Sequence, residues 1–147
     1  MITKLNWIGW SGALLLMAVL PGLASLSPWL NEPMQFVMME AFDIMCHQIP
    51  ERSPHVHGVQ LPVCDRCYGI LVGLVSGPVV GLIYWKWIYK NERMMVIASM
   101  VPLMVDWGLG ILNIWSNIPE SRFITGFIFG IVAGSLVAYA MSTRRQH

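Results

Sequence analysis

The stretch that decides the fold runs from Tyr68 to Trp87 and reads YGILVGLVSGPVVGLIYWKW, with Lys86 as its one charged residue. A helix of this length, at about 1.5 Å per residue, is long enough to cross a hydrocarbon core of about 30 Å. Glycine recurs at every fourth position, at Gly69, Gly73, Gly77 and Gly81. Small residues at this spacing allow two helix backbones to approach closely. The stretch therefore predicts a transmembrane helix with a close-packing face.

Three further stretches are as long and as apolar as this one. Together the four predicted spans are Leu5 to Leu26, Tyr68 to Trp87, Met94 to Trp115, and Phe123 to Met141. Phe123 to Met141 also carries glycine at every fourth position, so we expect it to pack against Tyr68 to Trp87. The sequence predicts an all-α integral membrane protein, one four-helix transmembrane domain over residues 1–147 with a long outer loop over 27–67.

Composition agrees with a protein whose main partner is the lipid bilayer. Of the 147 residues, 56% are hydrophobic and 12% are charged, and the mean hydropathy is +0.59. Ordinary soluble domains carry about 25% charged residues. The net charge is only +1 and no basic run exceeds Arg144-Arg145, so we expect no nucleic-acid partner.

Basic residues predict the orientation in the cell membrane. They lie before the first span, between the second and third, and after the last, at Lys4, Lys86, Lys90, Arg93, Arg144 and Arg145. Because cytoplasmic segments carry an excess of Lys and Arg, both termini are predicted to be cytoplasmic and loops 27–67 and 116–121 extracytoplasmic. The alternative for the first span is a signal peptide, because Gly22-Leu23-Ala24 would pass as a cleavage site.

The outer loop begins with a predicted helix and continues as a proline-rich segment. Trp29 to Met45 gathers its acidic residues on one arc and most of its apolar residues on the other. We expect an amphipathic helix that lies on the bilayer or is partly covered by the bundle. The prolines and glycine that follow predict no regular structure before the second span.

Cysteine and histidine in the outer loop have the composition of a zinc site. The predicted ligands are Cys46, His47, Cys64 and Cys67. Tetrahedral zinc takes four such donors, and a CxxC turn supplies two. Both Cys46 and His47 can bind only if the preceding helix has ended near Met45, because adjacent helical residues diverge by about 100°. Two further loop histidines, His55 and His57, are weaker candidates.

A redox function is the competing interpretation of the same cysteines. A CxxC at a helix start has its thiolate stabilised by the helix dipole and by cations such as Arg66. Cys46 would then be a resolving thiol. A structural disulfide also remains open, because the predicted compartment is oxidising.

Asp106 is an acidic residue within the third predicted span. We place it about 13 Å below the outer end of that span, where an ionised carboxylate costs at least about 2.5 to 3.5 kcal/mol. Arg122 is the predicted charged partner, with Asn117 and Thr125 as neutral ones. The pair is either a purely structural link between helices or part of a polar pocket in which both residues serve catalysis.

These motifs resemble the DUF2085 family of small predicted integral membrane proteins. The residues that carry the resemblance are Cys46-His47-Gln48, Arg52-Ser53, Cys64, Arg66, Cys67, Gly69, Pro102, Asp106, Asn117, Arg122, Thr125-Gly126 and Gly130. The resemblance covers about residues 41–134 and implies a four-span protein with these positions on the outer face, but no reaction. The sequence departs at Trp107, where such proteins often have glycine, which affects the width of any pocket there.

Three functions follow as hypotheses. The favoured one is an extracytoplasmic zinc site beside a polar pocket, with metal-assisted chemistry on a lipid-like or isoprenoid substrate. The second is a thiol oxidoreductase or quinone-linked disulfide relay that uses Cys64 and Cys67. The third is a non-catalytic subunit or assembly factor, in which the glycine faces bind a partner protein or a second copy of the chain.

Overall fold

Five α-helices account for most of the chain in the computed structural model, which describes residues 7–112 and 118–143. The helices are α1, Trp7–Leu26; α2, Glu32–Asp43; α3, Asp65–Lys90; α4, Glu92–Ile111; and α5, Pro119–Thr143. All except α2 are long and apolar enough to cross a membrane. The chain is therefore a multi-pass helical membrane protein, and the predicted fold class is confirmed.

The ends of the helices differ from the predicted spans by a few residues. Helix α3 begins at Asp65, three residues before the predicted start, and α4 ends at Ile111 rather than Trp115. Several residues that the sequence analysis used lie outside the described ranges, namely Lys4, Trp115, Asn117, Arg144 and Arg145.

Helices α3 and α5 make the closest contact in the bundle. A Cβ atom added at Gly73 would lie 2.8 Å from the Cα of Gly130, and one added at Gly77 would lie 2.7 Å from the backbone nitrogen of Ser135. Only glycine permits so close an approach of the backbones. The predicted contact between these two helices is confirmed, and it brings their N-terminal ends together.

Helix α1 packs on the same pair of helices. Near its start, Trp10 and Ala13 are buried against Ala138 of α5. Near its end, the hydroxyl groups of Ser25 and Tyr68 of α3 lie 2.9 Å apart in a hydrogen bond. Helix α1 therefore supplies part of the core at both of its ends.

The predicted outer helix is present but shorter than Trp29 to Met45. Most of its apolar side chains are exposed, including Phe36 and Val37, whereas Phe42 near its end is only 3% exposed. The backbone N–H of Cys46 donates to the carbonyl of Phe42 at 3.0 Å. Helix α2 is thus covered by the bundle at its C-terminal end and presents apolar side chains elsewhere, as a helix at a bilayer surface does.

The expectation of no regular structure between α2 and α3 is wrong. A short antiparallel hairpin pairs strand β1, His55–Val56, with strand β2, Val59–Gln60. His57 and Gly58 have φ values of 53° and 80°, and positive φ at both central residues is the pattern of a type I′ turn, which matches the twist of a two-residue hairpin. Pro54 and Pro62 flank this hairpin without interrupting it.

Candidate metal centre

Three cysteines converge where the end of α2 meets the start of α3. Cys46 follows the C-terminus of α2, Cys64 is the N-cap residue of α3, and Cys67 lies in the first turn of α3. Their sulfur atoms all lie within 4.8 Å of one another, and all three cysteines are free thiols. Sulfur atoms in a tetrahedral zinc site are about 3.8 Å apart, given Zn–S bonds of about 2.3 Å. The cluster therefore fits a metal ion after only a small contraction.

Hydrogen bonds fix the turn that places Cys46. The backbone N–H of Cys64 donates to the sulfur of Cys46 at 3.1 Å. Gln48 has a φ of 48°, and its side-chain amide donates to the carbonyl of Met39 at 2.7 Å. The amide of Gln60 donates to the carbonyl of Gln48, also at 2.7 Å. Sequence reasoning did not identify either glutamine, although Gln48 belongs to the motif that carries the family resemblance.

The cysteine cluster is also joined to the apolar core. Cys46 is 4% exposed and belongs to one apolar cluster with Phe42 of α2, Leu71 of α3, and Val63, which precedes α3. Ala24 of α1 belongs to the same core. Apolar packing around Cys46 therefore links α1, α2 and α3, and its loss is expected to loosen the outer segment from the bundle.

The three thiols share hydrogen bonds that favour one thiolate. Hydrogen bonds from the side chains of Cys64 and then Cys67 lower the pKa of the Cys46 thiol far below its usual range. The same hydrogen bond to Cys46 raises the pKa of Cys64. Metal binding to such a cluster displaces the remaining protons, because thiolates are the ligands.

The structure does not bring His47 into this group. His47 is exposed, whereas the adjacent Cys46 is buried, and the clustered donor atoms belong to cysteines alone among the described residues. Helix α2 does end before Met45, as expected, but in the turn that follows the side chain of Cys46 is buried and that of His47 is exposed. His55 and His57 are exposed on the hairpin, where the ring of His57 makes an edge contact with Trp29 at 5.0 Å between centroids.

The cation that the structure places on the carboxylate of Asp106 is Arg66, where the sequence analysis predicted Arg122. The buried carboxylate of Asp106 accepts a hydrogen bond from Arg66 of α3 and another, at 2.8 Å, from the hydroxyl of Ser121 of α5. The hydroxyl of Thr125, a predicted neutral partner, donates instead to the carbonyl of Ser121 at 2.9 Å.

Arg122 instead faces the first residue of α3. Its guanidinium nitrogen lies 3.8 Å from the carboxylate of Asp65. The close packing of α3 on α5 explains this, since it aligns the first turns of both helices. Because α4 ends at Ile111, Asp106 lies only five residues, about 7.5 Å, from that end. The charged residues thus form a layer at one end of the bundle rather than a deep intramembrane pair.

A cleft of about 550 Å³ adjoins the cysteines. All three cysteines and His47 line it, together with Arg52, Arg66 and Arg122. Its remaining wall is largely apolar and includes Ile70 of α3 and Trp107 and Ile111 of α4. Trp107, where the sequence departs from the family pattern, thus lies on the wall of this cleft. A metal ion held by the cysteines would lie beside a space large enough for part of a small molecule.

Known proteins match most of the region that contains these residues. An uncharacterized protein of Methanocaldococcus jannaschii is 34% identical over 95 residues, which are 60% of this chain and 58% of that protein. An uncharacterized protein of Methanothermobacter thermautotrophicus is 26% identical over 90 residues, 61% of this chain and 81% of that protein. The chain thus spans less than two thirds of the length of the first of these relatives.

No solved structure shows significant similarity to the chain. The family model for the predicted membrane proteins called DUF2085 matches residues 46–136. These residues include the three cysteines, the arginines of the cleft and Asp106. The chain therefore belongs to the DUF2085 family of predicted membrane proteins.

Proposed function

We propose that the protein binds one zinc ion through Cys46, Cys64 and Cys67 and uses it to act on a lipid-like or isoprenoid substrate in the adjoining cleft. The observation that carries the proposal is the convergence of three sulfur atoms within 4.8 Å on the wall of that cleft. Thiolates are soft ligands that favour zinc among the metals commonly held by tetrahedral sites.

The number of protein ligands supports a catalytic rather than a structural ion. Structural zinc sites have four protein ligands, whereas catalytic sites have three and leave one position for water or substrate. In such a position zinc polarises an oxygen atom of its ligand. Because the three cysteines line the cleft and His47 lies outside the sulfur cluster, a zinc ion held by them would be accessible to a ligand in the cleft.

Metal content of the purified full chain tests the proposal. We expect about one zinc per chain, and loss of that zinc with a lower melting temperature in Cys46→Ser and Cys67→Ser, because removal of a ligand removes metal-binding free energy from the folded state. Ser76→Ala is the matched control, since the Ser76 hydroxyl bonds only within α3, to the carbonyls of Val72 and Gly73. Equal metal content in Cys67→Ser and in the unchanged chain would reject the site.

A thiol oxidoreductase is the second candidate, and one observation favours it. Cys64 is the N-cap of α3 and Cys67 lies in its first turn, where the positive end of the helix dipole stabilises a thiolate. Mass analysis without reductant distinguishes the two candidates. A metal-free chain that is two mass units lighter would show a disulfide and favour the redox function, whereas a zinc-loaded chain with three reduced cysteines supports the metal centre.

The third hypothesis, a subunit that binds partners through its glycine faces, loses its support. The glycine faces of α3 and α5 pack on each other, as the close approach of Gly73 to Gly130 shows. They are therefore not available as a surface for a partner protein or a second copy.

A further inference from the structure

Basic side chains line the cleft beside the cysteines, and the proposed metal centre gives them no role. Arg52, Arg66, Arg122 and His47 line it, and none of the described residues that line it is acidic. The two carboxylates near these arginines, Asp65 and Asp106, are buried behind the wall rather than part of it. The open side of the cleft therefore presents hydrogen-bond donors of positive charge.

Each arginine has N–H groups left for a ligand. A guanidinium carries five such donors. The bond of Arg66 to Asp106 uses one terminal nitrogen, Nη2, and the side chain of Arg66 is still 20% exposed. Arg122 lies 3.8 Å from Asp65, which is longer than a hydrogen bond. Arg52 is exposed and forms no ion pair with any other described residue. Forked donors of this kind match the oxygens of a phosphate group.

The rest of the cleft favours a ligand with an apolar chain. Ile70 of α3 and Trp107 and Ile111 of α4 line the cleft, and Trp107 and Ile111 are more than half exposed. Inorganic phosphate would leave this surface uncovered, whereas a lipid chain would remove it from water. The arginines and the apolar wall together therefore fit an amphiphile with an anionic head group.

We propose that the cleft binds the phosphate head group of a lipid between Arg52, Arg66 and Arg122, with the lipid chain along Ile70, Trp107 and Ile111. The inference rests on the proposed function, because it names the substrate class of the same cleft: a phosphate-bearing lipid whose head group lies beside the cysteines.

Native mass spectrometry of the full chain in a neutral detergent tests this binding. The probes are phosphatidic acid, phosphatidylcholine with the same acyl chains, and inorganic phosphate. We expect phosphatidic acid to bind about tenfold more tightly than phosphatidylcholine, which corresponds to one charge-assisted hydrogen bond. Inorganic phosphate should displace phosphatidic acid only at a concentration much higher than that of the lipid. Equal binding of the two lipids, or displacement by phosphate at an equal concentration, would overturn the proposal.

Arginine variants locate the site. Arg52→Gln should fold normally, because Arg52 is exposed and unpaired among the described residues, and should bind phosphatidic acid about tenfold more weakly. Arg93→Gln is the matched control, since Arg93 is an exposed arginine at the start of α4, at the opposite end of this helix from Trp107 and Ile111. An equal loss of affinity for phosphatidic acid in both variants would show that the lipid is held by general electrostatic attraction, and it would contradict a specific site in the cleft.

Zinc is measured in the same samples so that the two proposals fail separately. A chain that contains zinc but does not prefer phosphatidic acid contradicts the lipid inference and leaves the metal centre standing. A zinc-free chain that prefers phosphatidic acid contradicts the metal centre and supports the lipid site.

Discussion

At the residue scale, the carboxylate of Asp106 is held by side chains from two other helices, Arg66 of α3 and Ser121 of α5. It is 8% exposed, and a buried carboxylate needs such donors because its transfer out of water is costly. Removal of Arg66 would leave that charge without its cation. The pair therefore fixes α4, which has few other buried side chains, to the rest of the bundle.

A double-mutant cycle tests this pairing. We expect Asp106→Asn and Arg66→Gln to be coupled by about 0.5 to 3 kcal/mol in the free energy of unfolding in detergent, because the residues share a hydrogen bond. The same cycle with Arg122→Gln is the control and should be closer to additive, since Arg122 faces Asp65. A larger coupling of Asp106 to Arg122 than to Arg66 would contradict the structure.

The position of His47 gives a second prediction at this scale. Because His47 is exposed and lies outside the sulfur cluster, His47→Ala should retain the zinc and lose at most a few tenths of a kcal/mol of stability, as surface substitutions usually do. His55→Ala, at another exposed histidine of the same loop, is the control. Zinc content that falls in His47→Ala but not in His55→Ala would make His47 the fourth ligand.

At the element scale, the approach of α3 to α5 depends on the absence of side chains at their contact. Gly73→Ala should lower the melting temperature, because its Cβ would lie 2.8 Å from the Cα of Gly130 and overpacking of this kind costs about 1 to 3 kcal/mol. A Cβ atom added at Gly108 in α4 would have no atom within 4 Å. Gly108→Ala should therefore be neutral or slightly stabilising, because alanine has a higher helix propensity than glycine. Thermal unfolding in detergent measures both. A more stable Gly73→Ala would contradict the packing.

The same scale shows which features the sequence could predict. Long apolar stretches predict the spanning helices, because an uninterrupted apolar helix of this length has few alternatives to a bilayer. Glycine spacing predicts the contact of α3 with α5. The partner of Asp106 was not predictable in this way. Arg66 and Arg122 both lie near the start of a helix, and glycine spacing fixes neither the first residue of each helix nor the rotation of one helix relative to the other. The cysteine cluster was predictable from the CxxC and Cys46, but His47 was not excluded by any local pattern.

At the scale of the whole molecule, the cysteines and Lys90 lie at opposite ends of α3, and Arg93 follows Lys90 at the start of α4. Cys64 precedes its first residue, and Lys90 ends it. Since basic residues concentrate on the cytoplasmic side, we propose that the cysteines and the cleft are extracytoplasmic.

Labelling of engineered cysteines in intact cells tests this orientation. A membrane-impermeant maleimide should react with Glu51→Cys, which is exposed in the outer loop, and not with Lys90→Cys. The unmodified chain gives the background from the three native cysteines. Reaction at Lys90→Cys alone would reverse the orientation.

X-ray absorption at the zinc edge tests the central claim, a three-cysteine centre with one position open to the cleft. For the purified full chain we predict three sulfur neighbours at about 2.3 Å and one oxygen neighbour at about 2.0 Å, without the outer-shell scattering of an imidazole ring. A spectrum with fewer than three sulfur neighbours, or with four, would contradict this account of the site.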